Sequence, residues 1–167
     1  AKLLNDSYKR RFIMAKTIIL YFSKTGTTEK VAEVIASKLG ADVYQIVEAV
    51  PYTNADLNWN NPTSRANIEQ GDESARPTYK GELPDLTSYD QVIIGHPIWW
   101  GRPPRIIQTV MENLNLAGKR VATFATSGGS TYSEAQAVID QMVKNSARGR
   151  VLSNQTEATK WLASIGF

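Results

Sequence analysis

Four hydroxyl side chains and one glycine fall within the six residues Ser23-Lys24-Thr25-Gly26-Thr27-Thr28. They lie between an apolar run, "TIILYF" (17–22), and a stretch in which Val31, Ile35 and Leu39 share one helical stripe. A strand's carboxyl end therefore meets a helix's amino end. The unpaired amides of a first helical turn and the helix dipole both favour an anion there. Hydroxyls add neutral donors, and Gly26 can take backbone angles that are costly with a side chain. The chemistry this pattern serves is the holding of a phosphate. The competing reading is that Ser and Thr simply cap the helix, which is worth ~1 kcal/mol, although four hydroxyls in six positions exceed what a cap requires.

The kind of phosphate is narrowed by what the loop lacks. There is no GxxxxGK followed by Ser or Thr, which excludes a nucleoside-triphosphate loop, and no GxGxxG dinucleotide fingerprint. The loop also has no arginine. A dianion held largely by hydroxyls and amides points to a terminal phosphomonoester.

Two other segments invite the same question. In "GHPIWWGRPP" (95–104) adjacent Trp99 and Trp100 follow an apolar run and are flanked by Pro97 and Gly101. Either at least one indole points to the sheet's carboxyl edge or both pack beneath the loops. "TSGGST" (126–131) is rich in backbone donors and free of bulky groups until Tyr132, and is either a ligand loop or a turn before a capped helix. His96 has no evident acid–base partner, so a structural or solvent-exposed role is expected rather than a catalytic one. Trp59, in "NADLNWNNP", is either a second ring-stacking group or a plug for its loop.

The elements that must position these loops follow from alternating apolar runs and amphipathic segments, the pattern of an α/β domain with a parallel sheet. Strands are expected at 17–22, 42–47, 91–95, 120–125 and 149–152. Gly40 can end the first helix. Pro103 and Pro104 suit a helix start, with Ile106, Ile107, Val110, Met111 and Leu114 inward. Thr131 and Glu134 have capping-box spacing before a helix carrying Ala135, Val138, Ile139 and Met142. Asn154 and Glu157 can cap a last helix carrying Ala158, Trp161, Leu162 and Ile165. Residues 50–88 are polar and proline-rich. A short helix over 63–70 is placed there, because parallel strands two and three need a crossover. In a 2-1-3-4-5 strand order, the three loops follow neighbouring strands at one carboxyl edge, where open α/β sheets bind ligands. One ligand could touch all three, with phosphate at the first and a flat ring between the others.

Composition limits the classes of function. The 167 residues, 42% hydrophobic and 21% charged, suit a soluble globular chain. With no cysteine, thiolate catalysis and cysteine metal sites are excluded, and one histidine makes a zinc site improbable. The formal charge of +3 resides in residues 1–13, whose four basic residues face one acidic residue; the rest carries 15 of each. Nucleic-acid binding by the domain is therefore not indicated. Residues 1–13 are expected to be an extension, disordered or non-native, before one domain over 14–167. No run approaches the ~18–20 apolar residues of a membrane span, and the absence of an export signal implies a cytoplasmic location.

Taken together, "SKTGTT", "PIWWG", "TSGGS" and "LNWNNPTSRANIEQ" resemble, in that order, the motifs of small bacterial flavodoxin-like proteins over roughly residues 16–165. The resemblance implies a three-layer, doubly wound, five-stranded parallel sheet of order 2-1-3-4-5. It also implies one noncovalent flavin mononucleotide (FMN), and redox chemistry. Carried over by position, Ser23, Thr25, Gly26, Thr27 and Thr28 would hold the phosphate, with Lys24 giving its backbone amide. Pro97, Ile98, Trp99, Trp100 and Gly101 would wall the ring. Ser127, Gly128, Gly129 and Ser130 would line its pyrimidine side through backbone amides. No catalytic or metal-ligating residue is implied.

The chain departs from the family pattern in three ways. The domain is charge-balanced rather than acidic, and "GRVL" has no long insertion. The third loop has no ring-flanking aromatic, unless Tyr132 or Trp59 replaces it. The leading functional expectation is an electron carrier between redox partner proteins. An NAD(P)H-dependent flavin or quinone oxidoreductase is the alternative, and a non-redox binder of another phosphorylated small molecule the third. A flip of the Trp100–Gly101 peptide on cofactor reduction is a further expectation, because glycine tolerates both orientations.

Overall fold

The computed structural model describes residues 15–167, so the expected extension over 1–13 lies outside the described residues. Strands β1 (Thr17–Tyr21), β2 (Asp42–Gln45), β3 (Gln91–Pro97), β4 (Arg120–Thr126) and β5 (Arg150–Val151) form one sheet. Its order is β2-β1-β3-β4-β5, and every pairing is parallel. Helices α1 (Thr27–Leu39), α2 (Arg65–Gly71), α3 (Arg105–Asn113), α4 (Ser133–Met142) and α5 (Gln155–Ile165) connect or follow the strands.

The period-2 alternation of the strands divides the core into two layers. Ile18, Leu20, Val92 and Ile94 face one side, with Ala66 of α2, Ile106, Ile107 and Val110 of α3, and Ile139 of α4. Ile19, Tyr21 and Ile93 face the other, with Val31, Ala32 and Ile35 of α1 and Ala158, Trp161 and Leu162 of α5. Strands buried on both faces explain why β1 and β3 read as unbroken apolar runs. The result is a three-layer α/β architecture, as the sequence motifs imply. No helix among the described residues is long and apolar enough to cross a membrane.

Three local features differ from expectation. β2 ends at Gln45 rather than Val47, because the chain there changes partner. The Ile46 amide still donates to Tyr21 O, but Val47 O then accepts from Lys80 N at 2.7 Å and the Ala49 amide donates to Thr78 O at 2.8 Å. The long β2–β3 connection thus folds back on its own start, and Tyr52 and Leu86 anchor it in the core.

The Thr131–Glu134 capping box does not form. α4 begins at Ser133 with no side-chain cap, and Thr131 Oγ1 lies 3.0 Å from Ser133 Oγ. Tyr132 is drawn into the core instead, which moves the helix start past Thr131. β3, finally, extends to Pro97, paired with Thr126. Proline is tolerated at this strand end because the amide it lacks is not needed, while the next amide, that of Ile98, still donates to Thr126 O at 3.3 Å.

Other end signals hold. Gly40 terminates α1 at φ +61°, and Asn154 caps α5 by accepting from the Glu157 amide at 2.9 Å. Ser64 caps α2, the short helix expected inside the long connection.

Candidate functional site

β1 ends at Tyr21, and the Phe22 amide extends its pairing to Gly95 O at 3.0 Å. The chain then turns. Ser23 Oγ accepts from the Gly26 amide at 3.1 Å, and Gly26 adopts φ +87°, within the left-handed region that favours glycine. A Cβ at Gly26 would meet nothing within 4 Å, so it is the backbone angle rather than space that requires glycine.

No side chain caps α1, and the first helical bond runs from Lys30 N to Gly26 O. The amides of residues 27–29 therefore lack intrahelical partners. Thr25 and Thr27 are exposed, with their hydroxyls 3.3 Å apart. Ser23 accepts one bond yet keeps its own proton to donate. Thr28 differs: its buried hydroxyl lies 2.7 Å from Thr126 Oγ1, so only its amide is free for the cradle. Lys24 exposes its backbone but directs its ammonium to Glu48 Oε2 at 2.6 Å. The hydroxyls therefore exceed a cap's needs, because none of them caps.

The ring loop has a more constrained geometry. The Trp99 amide donates to Arg102 O at 2.8 Å and the Arg102 amide to Trp99 O at 3.2 Å, which encloses Trp100 and Gly101 in a two-residue turn. Both central residues have positive φ, +54° at Trp100 and +76° at Gly101. That is the signature of a type I′ turn, and it is unfavourable for tryptophan. The two indoles part company. Trp99 is 7% exposed and packs edge-on against Phe22, Tyr52 and Trp59, while Trp100 is 55% exposed. Trp59 lies beside both, 6.1 Å from Trp100 between ring centres, and is 38% exposed. Ile98 is half-buried against Ala125, Tyr132 and Ala135.

Sequence reasoning missed the side chains that hold this turn. Gln70, fully buried on α2, donates through Nε2 to Trp99 O at 2.9 Å and Pro103 O at 3.2 Å. Arg102 and Arg105 donate to Gln70 O, and Arg105 Nε donates to Glu69 O. Cations on the last carbonyls of a helix suit its dipole. The only sequence signal for these contacts was a helix placed in the connection, and its partner was not readable.

In the third loop Ser127 Oγ accepts from the amides of Gly129 at 3.4 Å and Ser130 at 3.1 Å. Gly128, Gly129 and Ser130 are exposed, and a Cβ on either glycine would meet nothing. Tyr132 does not reach this rim. Its hydroxyl is buried 2.8 Å from His96 Nε2 and 2.6 Å from Thr123 Oγ1. It therefore cannot flank a ring, which leaves Trp59 as the aromatic nearest the Trp100 turn.

His96 has a partner after all, and that partner is structural. Its Nδ1 faces Pro97 O at 2.8 Å, which can only accept, so Nδ1 carries the proton and Nε2 accepts from Tyr132. Burial pushes the imidazole pKa down to about 4, against the opposing pull of the Pro97 carbonyl. The ring is neutral near pH 7 and fully buried.

The three loops are joined edge to edge. Phe22 bonds to Gly95, Thr28 meets Thr126, and the Ile98 amide donates to Thr126 O at 3.3 Å. One carboxyl edge thus presents a cradle of amides and hydroxyls, a strained turn carrying an exposed indole, and an open glycine loop. The donor set is neutral and suits a phosphomonoester, and the exposed indole offers a flat apolar face.

The flavodoxin family model matches residues 16–165, most of the chain and all three loops. The chain belongs to the flavodoxin family. A protein classed as a flavoprotein from Bacteroides eggerthii is 42% identical, with TM-score 0.86, over 91% of this chain and 98% of the other. One from Bacteroides uniformis is 38% identical, with TM-score 0.84, over 89% and 98%. A Lactobacillus acidophilus flavoprotein solved in complex with FMN is 26% identical, with TM-score 0.69, over 88% and 98%. This flavodoxin-family chain thus shares its fold with relatives of nearly the same length.

Proposed function

We propose that this protein binds FMN noncovalently and works as an electron carrier between redox partner proteins. The reading rests on one joint observation. The uncapped start of α1 with its hydroxyls and the strained, exposed Trp100 turn lie on the same sheet edge, joined through Thr28, Thr126 and Ile98. Ser23, Thr25 and Thr27 would hold the phosphate with hydroxyl protons, and Lys24 and Thr28 with backbone amides, while Gly26, whose amide is bonded to Ser23 Oγ, would shape the turn. Pro97, Ile98, Trp99, Trp100 and Gly101 would form one wall of the ring site, with Trp100 the exposed contact and Trp99 its support. Ser127 and Gly128 would offer loop amides on the other side, and Gly129 and Ser130, whose amides turn to Ser127 Oγ, would shape that loop. The FMN bound at a related FMN-complexed protein supports the choice of cofactor.

When bound, the flavin supplies the redox chemistry, and the protein sets its potential through contacts and nearby charge. This chain's own residues bind and orient. We infer a cytoplasmic location for the same protein.

The test is a flavin titration of the purified chain followed by stepwise photoreduction. Tight FMN binding with riboflavin bound far more weakly is expected, followed by two resolved one-electron steps. Rapid two-electron bleaching by NAD(P)H with quinone turnover would instead assign the protein to the oxidoreductases. No flavin binding would overturn the cofactor itself.

A further inference from the structure

The cation of the cradle is turned away from it. Lys24 is the single Lys or Arg between Phe22 and Glu29, and its ammonium lies 2.6 Å from Glu48 Oε2. Glu48 is 5% exposed and also accepts from the Tyr52 amide at 3.3 Å. Burial opposes ionisation of Glu48, but the Lys24 ammonium and the nearby amides outweigh it and hold the carboxyl below its usual range. Tyr52 is itself fixed. Its hydroxyl donates to Glu69 Oε1 at 2.5 Å, and the Arg65 guanidinium, paired with Glu69, sits 3.9 Å from its ring centre. The pairing is therefore built into the β2–β3 connection rather than left to a mobile surface side chain.

A buried carboxylate needs a partner, and a lysine on the rim of an anion cradle would otherwise turn toward the anion. We propose that Glu48 is a positioning residue that holds the Lys24 ammonium off the cradle, so that a phosphomonoester is bound there by neutral hydroxyl and amide donors alone. The inference rests on the FMN reading above.

The experiment titrates the full-length chain and its Glu48→Gln variant with FMN and with riboflavin, by quenching of flavin fluorescence, from about 20 to about 500 mM NaCl, a range over which an exposed ion pair is screened. The wild-type FMN Kd is expected to change less than about twofold, as neutral donors require. Glu48→Gln is expected to bind FMN about three- to tenfold more tightly at low salt, losing that gain at high salt, with riboflavin affinity unchanged. Adding Lys24→Met should abolish the gain. Identical FMN salt dependence in wild type and Glu48→Gln overturns the proposal, and so do parallel changes for FMN and riboflavin, which report repacking. Wild type that binds no FMN overturns the cofactor reading and this inference with it, and the wild-type titration alone reveals that case.

Discussion

Trp100 shows how one residue can carry a conflict between stability and function. Its φ of +54° in a two-residue turn belongs to Asn or Gly, and holding a tryptophan there costs about 1–2 kcal/mol. Because 55% of the residue is exposed, little packing offsets that cost. Gln70 holds the turn from below, through the carbonyls of Trp99 and Pro103. Trp100→Asn creates an Asn-Gly pair suited to this turn and should raise unfolding free energy by about 0.5–1 kcal/mol in urea denaturation. The same substitution should weaken FMN binding by about tenfold or more in a fluorescence titration, through loss of the exposed ring face. Gly101 is constrained twice: it has φ +76°, and a Cβ there would lie 2.6 Å from Glu134 Oε2. The carboxylate can swing away, so the backbone angle is the larger obstacle. Gly101→Ala should cost about 1–2 kcal/mol by the same measurement.

Among the elements, β3 and α4 are locked together by His96 and Tyr132, which ties the ring loop to the third loop. The folded imidazole resists protonation until about pH 4, whereas the unfolded one takes up a proton near its ordinary 6.5. Between those values the unfolded chain binds more protons. The contribution is complete above about pH 6.5 and is lost as pH falls toward 4. The stability of the wild type should therefore drop more between pH 7 and pH 4 than that of His96→Gln, by about 3 kcal/mol. Equal losses of unfolding free energy for the two proteins between pH 7 and pH 4, from denaturant titrations, would refute the assignment. Helix ends give a second contrast. Asn154→Ala should cost about 1 kcal/mol because its side chain caps α5, whereas Thr131→Ala should stay within about 0.5 kcal/mol because α4 has no side-chain cap. Chemical denaturation of both variants checks the difference.

Across the whole molecule, the two helical layers meet the sheet so closely that some strand positions admit no side chain. Gly95 stands opposite Phe124 in the β3–β4 register, and a Cβ there would lie 2.3 Å from Phe124 Cζ. That ring packs with Trp161 of α5 and has no room to move. Gly95→Ala should destabilise by about 1–3 kcal/mol or more, measured by urea unfolding, because overpacking displaces a whole layer. The β2–β3 connection is likewise part of the molecule's architecture rather than an appendage. It contributes Tyr52, Ala66 and Leu86 to the core, Gln70 to the ring loop and Glu48 to the lysine of the cradle.

Much of this was legible in the sequence, because it depends on neighbours along the chain. Hydrophobic period and buried runs set the strands and helices, with ends marked by Gly40 and Asn154. The order of three loops at one carboxyl edge followed from the alternation of strands and helices. Local rules failed where a distant partner outbid a near one. Tyr132 abandoned a capping box for His96 and Thr123, Val47 left the sheet for Lys80, and Lys24 turned from its own loop to Glu48. The two adjacent tryptophans were indistinguishable as letters, and only the turn closed between Trp99 and Arg102 sent one inward and the other to solvent. Periodicity is a property of the chain read along its length; the pairing of buried polar groups depends on what folding brings near, and only the tertiary structure supplies that.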